Sequence, residues 1–461
     1  MERMHRLATL ACVCATTFMM VLDITVVAVA LADVQRDLHA GLADLQWVVD
    51  AYVVPLAALL LVAAAFGDRF GRRTVFLGGT AVFSAASLAC GLAPTVGWLA
   101  AARTVQGAGA AMLLGIALAL ITDAFPEQRR RDVALGVFGA TVASAIAVGP
   151  LLGGGLAQWA GWRAVFLVNV PIGAAVVCLG WRRLPAPGPR RRGRVDWAGT
   201  ATLTVALAAL VMACVRAGGD GWDDPLVLAL FGVAGVLLAS FAMIERRAAD
   251  PVVDLRLLAG RGYAANALVA LLNQGAVVAA ATYLALYVQQ VRGLGPLKTG
   301  LCLLPFGVAA FLSALLSAPL AGRVPTRWAV GGTAGFTAAG LALLTALDAS
   351  SGWTVVMCGL AVMGVGLGAS STVLNQVAVY GVDARRAGMA GGIIMALRQV
   401  GTAFAVPALG AAYQHSGLDL LFTLAAAGTA GGGLIALLCT QDIRSPPRPE
   451  PRPAGRAAGA R

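Results

Sequence analysis

Charge is what this sequence has least of. Only 12% of its 461 residues are Asp, Glu, Lys or Arg, about half the share of an ordinary soluble domain, and Lys298 is the one lysine in the chain. So few charges cannot cover a surface that faces water, which excludes a soluble globular protein. Histidine is almost missing too: His5, His39 and His415 are scattered. The eight cysteines, Cys12, Cys14, Cys90, Cys178, Cys214, Cys302, Cys358 and Cys439, all lie in apolar stretches without metal-ligand spacing, so neither a metal centre nor a disulfide framework is expected. No phosphate-cradling GxxxxGK[ST] loop surrounds the lone lysine, which excludes ATP hydrolysis by this chain as an energy source. No organic cofactor is expected either. A net charge of +12 would suit a nucleic-acid partner, but no basic face interleaved with aromatics is present to hold one.

What the sequence does have is apolar length. It is 59% hydrophobic with a mean hydropathy of +0.81, and a spanning helix needs about 20 apolar residues. Cutting wherever charge, proline and glycine cluster predicts fourteen spans, near 8–31, 45–66, 74–92, 96–122, 134–157, 164–181, 197–215, 226–244, 263–287, 299–320, 328–347, 353–378, 388–412 and 420–440. Under strict alternation, Arg36, Arg163, Arg216, Arg292 and Lys298 fall on one side, Arg103 and Arg398 fall within spans, and every other basic residue falls on the side shared by both termini. Positive charge crowds the cytoplasmic side, so both termini are expected there, and the +12 is largely an orientation signal. The expected fold is an all-helical integral membrane protein of two six-helix bundles, residues 1–181 and 261–440, joined by a central segment, 182–260, that carries two extra helices. A Pro- and Arg-rich tail, 441–461, is expected to be disordered. Trp47, Trp98, Trp162, Trp353, Tyr283 and Tyr287 fall near span ends, where aromatic rings anchor at the interface.

Ionisable residues inside lipid are costly and therefore informative. Four stand at membrane depth: Asp23, Asp50, Arg103 and Arg398. Asp23 lies well inside the first span, whereas Asp50 lies about five residues past the outer start of the second. A carboxyl group in a dry cleft favours its protonated form, and a cation brought beside it expels the proton. Competition between a proton and a substrate cation for Asp23, with Arg103 tuning it, would couple export to a proton gradient. Among weaker polar candidates (Asn169, Asn273, Gln274, Gln289, Asn375, Gln376 and Gln399), Asn273 and Asn375 are the two expected to line the cavity.

The segment Gly67 to Arg73 reads GDRFGRR, span four carries Leu99, Arg103, Gln106, Gly107, Gly109, Ala110 and Ala111, and span five carries GPLLGG from Gly149 to Gly154. LDITVVAVALA at Leu22 to Ala32, WRAVFLVNVPIG at Trp162 to Gly173, YLALYVQQVRGLGPLKTGLCLLP at Tyr283 to Pro305 and LRQVG at Leu397 to Gly401 follow in order. In these motifs the chain resembles the fourteen-span drug:proton antiporter branch of the major facilitator superfamily. WVVDAY, Trp47 to Tyr52, is similar to exporters of quaternary ammonium compounds, dyes and antibiotics.

The resemblance implies roles. Asp68, Arg69, Gly71, Arg72 and Arg73 would form an inner gate that favours the outward-facing state. Gln106 and Gly107 would let span four pass close to a neighbour while Arg103 projects into the cavity. Gly149, Pro150, Gly153 and Gly154 would bend span five and seat it between the halves; Trp47, Asp50 and Tyr52 would select cationic drugs. The chain departs from the pattern at Ala28, Ala32, Ala64, Ala143 and Ala145, and the second-half loop AGRVPTRW keeps Gly322, Arg323 and Arg327 but no acid. The expected function is proton-coupled efflux of an amphipathic drug or antibiotic across the cell membrane by a monomeric carrier, not an enzyme, with small molecule, proton and lipid as partners. A dedicated exporter of one self-made antibiotic is the alternative; an uptake permease or a non-transporting receptor fits the intramembrane acids less well.

Overall fold

A computed structural model of the chain describes residues 2–184, 196–248, 253, 255–317, 324–346, 353–380 and 387–440. The tail 441–461, the basic stretch from residue 185, Gly322 with Arg323, and Arg385 with Arg386 lie outside the described residues. Every described element is helical: α1 Glu2–Leu38, α2 Leu42–Phe70, α3 Arg72–Gly91, α4 Val96–Ala124, α5 Gln128–Ala160, α6 Trp162–Leu167, α7 Asn169–Arg183, α8 Trp197–Asp220, α9 Pro225–Glu245, α10 Leu255–Ala259, α11 Arg261–Gln290, α12 Pro296–Ser317, α13 Thr326–Leu344, α14 Trp353–Tyr380 and α15 Ala387–Cys439. In lipid the backbone must bond to itself, and a helix does so within one segment. Eleven of these stretches are long and apolar enough to cross a membrane, or twelve when α5, bent by 50° between Ile146 and Leu151, is taken as one. α15 contains a turn of its own, for Gly417 at φ 75° breaks the helical path.

Helix ends follow local chemistry. Thr95 caps α4 by accepting from the Trp98 amide, Asp196 caps α8, and Asp224 followed by Pro225 starts α9, as side-chain acceptors and an N-terminal proline should. Gly71 joins α2 to α3 at φ 96°, a conformation that a residue with a Cβ rarely adopts.

Small residues set the packing, because lipid gives helices no hydrophobic drive toward each other and close backbone approach must do the work. A Cβ on Gly107 of α4 would stand 2.3 Å from the Tyr52 carbonyl of α2, and one on Gly109 would stand 2.8 Å from the Phe83 amide of α3. The later half repeats this pattern: a Cβ on Gly364 of α14 would stand 2.3 Å from the Phe306 carbonyl of α12, and one on Gly340 of α13 would strike the Met363 backbone of α14. The pairing of α1 with α5 through Gly149 and Thr25 is likewise mirrored by that of α11 with α15 through Gly401 and Leu271.

The halves touch along two seams. On one, Gly139 of α5 lies against Thr372 and Ser371 of α14. On the other, Gly392 and Gly391 of α15 lie against Ala64 of α2 and Leu118 of α4. α8 fills the outer groove beside the second seam, where Val211 and Cys214 pack with Ala57 and Ala403. α9 rides on α8 and leaves Leu228, Val236 and Met243 more than half exposed, as a lipid-facing helix does. Trp159, Trp181, Trp197 and Trp328 are exposed at helix ends, a placement that suits interfacial anchors. Trp98 is exposed as expected, but Trp162 is not: it is buried, and its Nε1 donates to Asp37 at 3.1 Å. Tyr283 also turns inward, donating from its hydroxyl to the Val406 carbonyl at 3.0 Å.

Candidate functional site

Within the first half, five helices bring polar side chains to one dry point. Asp23 of α1 and Arg103 of α4 are each 1% exposed and form a direct ion pair, Arg103 Nη1 to Asp23 Oδ2. Asp23 Oδ1 accepts from Gln106 Nε2 at 2.9 Å and from Asn169 Nδ2 at 3.1 Å. Gln106 Nε2 also reaches Ser87 Oγ of α3 at 2.7 Å, and Gln106 Oε1 accepts from Arg103 Nη1 at 2.8 Å. Arg103 Nε donates to the Val48 carbonyl of α2 at 3.2 Å, and its guanidinium lies 4.2 Å from the centre of the Tyr52 ring. A buried charge is tolerated only when paired and hydrogen-bonded, and here both charges meet that condition. Arg103 and Gln106 share a face of α4 at i and i+3, while the other members come from α1, α2, α3 and α7.

Arg103 therefore turns onto Asp23 rather than into open space. Tyr52, expected beside Asp50 as a substrate contact, is instead sealed under Arg103, with its hydroxyl 3.4 Å from the Met20 carbonyl. Asn169 was only a weak candidate and Ser87 was not one. Asn169 opens α7 just after the break at Val168, which is how a residue in an apolar run comes to face the acid. Its Oδ1 is buried with no hydrogen-bond partner among the described residues.

The small face of α5 packs on α1 next to the same acid. A Cβ on Gly149 would stand 1.9 Å from Thr25 Oγ1, and one on Gly153 would stand 3.0 Å from the Val26 backbone, whereas Gly154 faces open space. This contact lies inside the first half; the seam between halves uses Gly139 of the same helix. Pro150 is on α5 at its bend, and its side chain lies outside the described residues.

Where α2 ends and α3 begins, beside the end of α4, Asp68 Oδ1 accepts from Arg72 Nε at 3.0 Å and Nη2 at 2.7 Å. Arg72 Nη1 continues to Asp123 Oδ1 at 2.7 Å and to the Ala119 carbonyl at 3.2 Å. One guanidinium thus ties three helix ends together through charge-assisted bonds. Asp123 escaped the sequence reading because nothing in its own neighbourhood marks it as a partner of residue 72. Arg73 reaches away to the Trp181 carbonyl at 2.5 Å, and Arg69 stands over Phe70.

Asp50 and Trp47 sit toward the N-terminal end of α2, Asp50 half-buried and Trp47 44% exposed. Arg216 of α8 lies 5.7 Å from the Trp47 ring centre and within electrostatic range of Asp50. α8 therefore brings a cation to the end where the sequence suggested an acid alone. In the second half, Asn273 and Asn375 are 2% and 0% exposed, and neither side-chain oxygen or nitrogen has a partner among the described residues. No group of three or more His, Cys, Asp or Glu that could hold a metal occurs among the described residues.

Comparison with known proteins places this geometry. The family model of the Major Facilitator Superfamily matches residues 13–406. The Methylenomycin A resistance protein of Streptomyces coelicolor is 38% identical over 402 residues, covering 86% of this chain and 83% of that protein. The Multidrug resistance protein Stp of Mycobacterium tuberculosis is 36% identical over 393 residues, covering 85% and 73%. Among solved structures, the human organic anion transporter MFSD10 superposes with a TM-score of 0.70 at 15% identity, covering 94% of this chain and 99% of that one, a likeness of fold alone.

Proposed function

The chain belongs to the major facilitator superfamily, and from that premise we propose that it is a proton-coupled exporter of amphipathic drugs or antibiotics, working by alternating access in the cell membrane. Relatives named for resistance to methylenomycin A and to multiple drugs support export over uptake. The observation that carries the coupling is the sealed Asp23–Arg103 pair with its Gln106 and Asn169 donors. Protonation of Asp23 removes the charge that Arg103 answers, and a carboxylic acid then needs an acceptor for its O–H. Asn169 Oδ1, buried and unpartnered among the described residues, supplies one. Release of Arg103 from α1 loosens α1 against α4, a local change that can bias the rocking of the halves.

Fourteen spans with both termini in the cytoplasm complete this reading. The 51-residue apolar run Met389–Cys439 would be roughly 76 Å long at 1.5 Å per residue, more than twice a hydrocarbon core of about 30 Å, so it crosses twice with its turn at Gly417. Counting it twice, α5 as one bent span and the 19-residue α13 once takes the eleven apolar stretches to fourteen. The protein is taken to act as a monomer, its first half at 1–181, its central pair within 182–260 and its second half at 261–440. Asp68, Arg72 and Asp123 hold the inner end closed, and the expected selection of cationic groups falls to Asp50 and Trp47 at the outer end.

Everted membrane vesicles test the exporter reading. In vesicles energised by an imposed pH gradient, adding ethidium, puromycin or rhodamine dyes is expected to release protons, and Asp23→Asn is expected to abolish that release. Equal proton release from wild type and Asp23→Asn would remove Asp23 from the coupling step; no response to any compound in wild type would remove the exporter reading.

A further inference from the structure

Arg398 has no counterpart to Asp23. It is 8% exposed, and its guanidinium makes one hydrogen bond among the described residues, from Nη1 to the thioether of Met395 at 4.0 Å, with no carboxylate beside it among them. A guanidinium carries five N–H donors and cannot shed its charge under physiological conditions, so burying one against a methionine is costly unless an anion joins it.

The surrounding groups share this shortage of partners. Asn266, Asn273, Asn375 and Gln376 are at most 3% exposed. The amide nitrogens of Asn273, Asn375 and Gln376 and the amide oxygens of Asn266, Asn273 and Asn375 have no partner among the described residues. Helix packing brings these residues to one level of the second half. Asn266 Nδ2 reaches the Leu374 carbonyl at 3.4 Å, next to Asn375 and Gln376. Leu374 and Val377 pack with Ile394, one turn before Arg398. A Cβ on Gly401, three residues after Arg398, would stand 2.1 Å from the Leu271 carbonyl, two residues before Asn273. Asn266 and Asn273 are seven residues apart and share one face of α11. Met395 and Ala396 pack into the core of the first half, so Arg398 lies at the seam where the halves meet.

We propose that Arg398, with the amide donors of Asn273, Asn375 and Gln376, receives an acidic group of the exported molecule, so that the substrate is an amphipathic organic acid or zwitterion rather than a simple cation. The local pairing supports this: Arg103 is answered by Asp23, Asp50 lies within range of Arg216, and no carboxylate among the described residues stands beside Arg398. The unpartnered amide oxygens suit hydroxyl or N–H groups flanking the acid. A zwitterion would still meet Asp50 at the outer end of its path. This inference rests on the exporter reading and narrows it to a class of substrate.

Rhodamine B, which carries a free carboxylate, and its ethyl ester, a cation of nearly equal size, form the test pair. Binding to the purified full chain is read by fluorescence anisotropy, and transport by dye uptake into everted vesicles. Wild type is expected to bind rhodamine B at least tenfold more tightly than the ester. Arg398→Ala is expected to weaken rhodamine B at least tenfold and leave the ester within twofold, with Arg398→Lys in between. If Arg398→Ala does not purify as a monodisperse protein, Asn375→Leu reads the same site, with rhodamine B weakened at least threefold and the ester unchanged. Unchanged rhodamine B binding in a folded Arg398 or Asn375 variant, or a wild type that binds and carries only the ester, overturns the acidic-group inference and leaves the exporter reading standing. A wild type that carries neither dye under any imposed pH gradient overturns both.

Discussion

Asp23 accepts from three side chains at once, and that number decides how its substitutions behave. Asn at position 23 keeps the shape but leaves Arg103 charged and buried, while Gln at position 103 leaves a bare carboxylate. Breaking a buried pair from one side costs about 3–5 kcal/mol. Each single variant, Asp23→Asn and Arg103→Gln, is therefore expected to unfold at a distinctly lower temperature than wild type. The double variant removes both charges together and is expected to recover much of that loss while remaining inactive in proton-coupled transport. Thermal unfolding of the four proteins in one detergent checks this; additive losses in the double variant would mean that the two residues are not coupled. A second clamp, outside the membrane-spanning run of α1, responds to pH. Asp37 accepts from Arg163 at 2.5 Å and from Trp162, and these bonds hold its carboxyl below the ordinary value of 3.8. A depressed carboxylate contributes stability above its unfolded value and loses it as pH falls through the folded one. Asp37→Asn is accordingly expected to lower thermal stability at neutral pH and to make no difference well below pH 3.8; a gap between variant and wild type that persists in strong acid would contradict the assignment.

At the scale of the helix, Gly149 and Gly154 separate two roles that look alike in sequence. A methyl group at 149 would strike Thr25 at 1.9 Å, whereas at 154 nothing lies within 4 Å. Overpacking a tight contact typically costs about 1–3 kcal/mol, so Gly149→Ala is expected to lower both stability and transport and Gly154→Ala to leave both near wild type. Equal behaviour of the two variants would show that α5 does not depend on this contact with α1. The helices themselves are legible because lipid asks every span for a similar length and hydropathy: the described parts of the stretches cut from the sequence fall on helices, except that 164–181 runs across α6 and α7, and 388–412 and 420–440 both fall on α15. Asp23 and Arg103 stand out because charge at membrane depth is rare, whereas Gln106 and Asp68 come only with the motifs that carry them. Ser87 and Asp123 are not legible, and Asn169 is legible only as a weaker candidate, since the partners of each lie 19 or more positions away. Only the assembled bundle shows that they face Asp23 or Arg72. The sealing of Tyr52 was hidden for the same reason: a tyrosine near a helix end reads as exposed until Arg103 is laid over its ring.

For the whole molecule, the seam between α2 and α15 carries the conformational prediction. Ala64 of α2 lies 3.3 Å from where a Cβ on Gly392 of α15 would sit, close to the Cβ separation of a disulfide. With the eight native cysteines replaced, Ala64→Cys with Gly392→Cys is expected to crosslink under mild oxidation and to halt transport until a reductant is added. A crosslinked protein that still transports would mean that this seam never opens. Under the proposed reading, the neutralised charge pair of the first half serves the proton and the unanswered arginine of the second receives the acidic group of the substrate, a division of labour between the halves. The most direct test of that division uses the purified chain in sealed liposomes without ATP, loaded with rhodamine B, where an imposed pH gradient is the sole energy source. Wild type is expected to move dye against its concentration gradient in the direction set by the pH gradient, to stop when a protonophore collapses that gradient, and to lose this coupling in Asp23→Asn. Dye movement that ignores the protonophore, or that survives unchanged in Asp23→Asn, would contradict it.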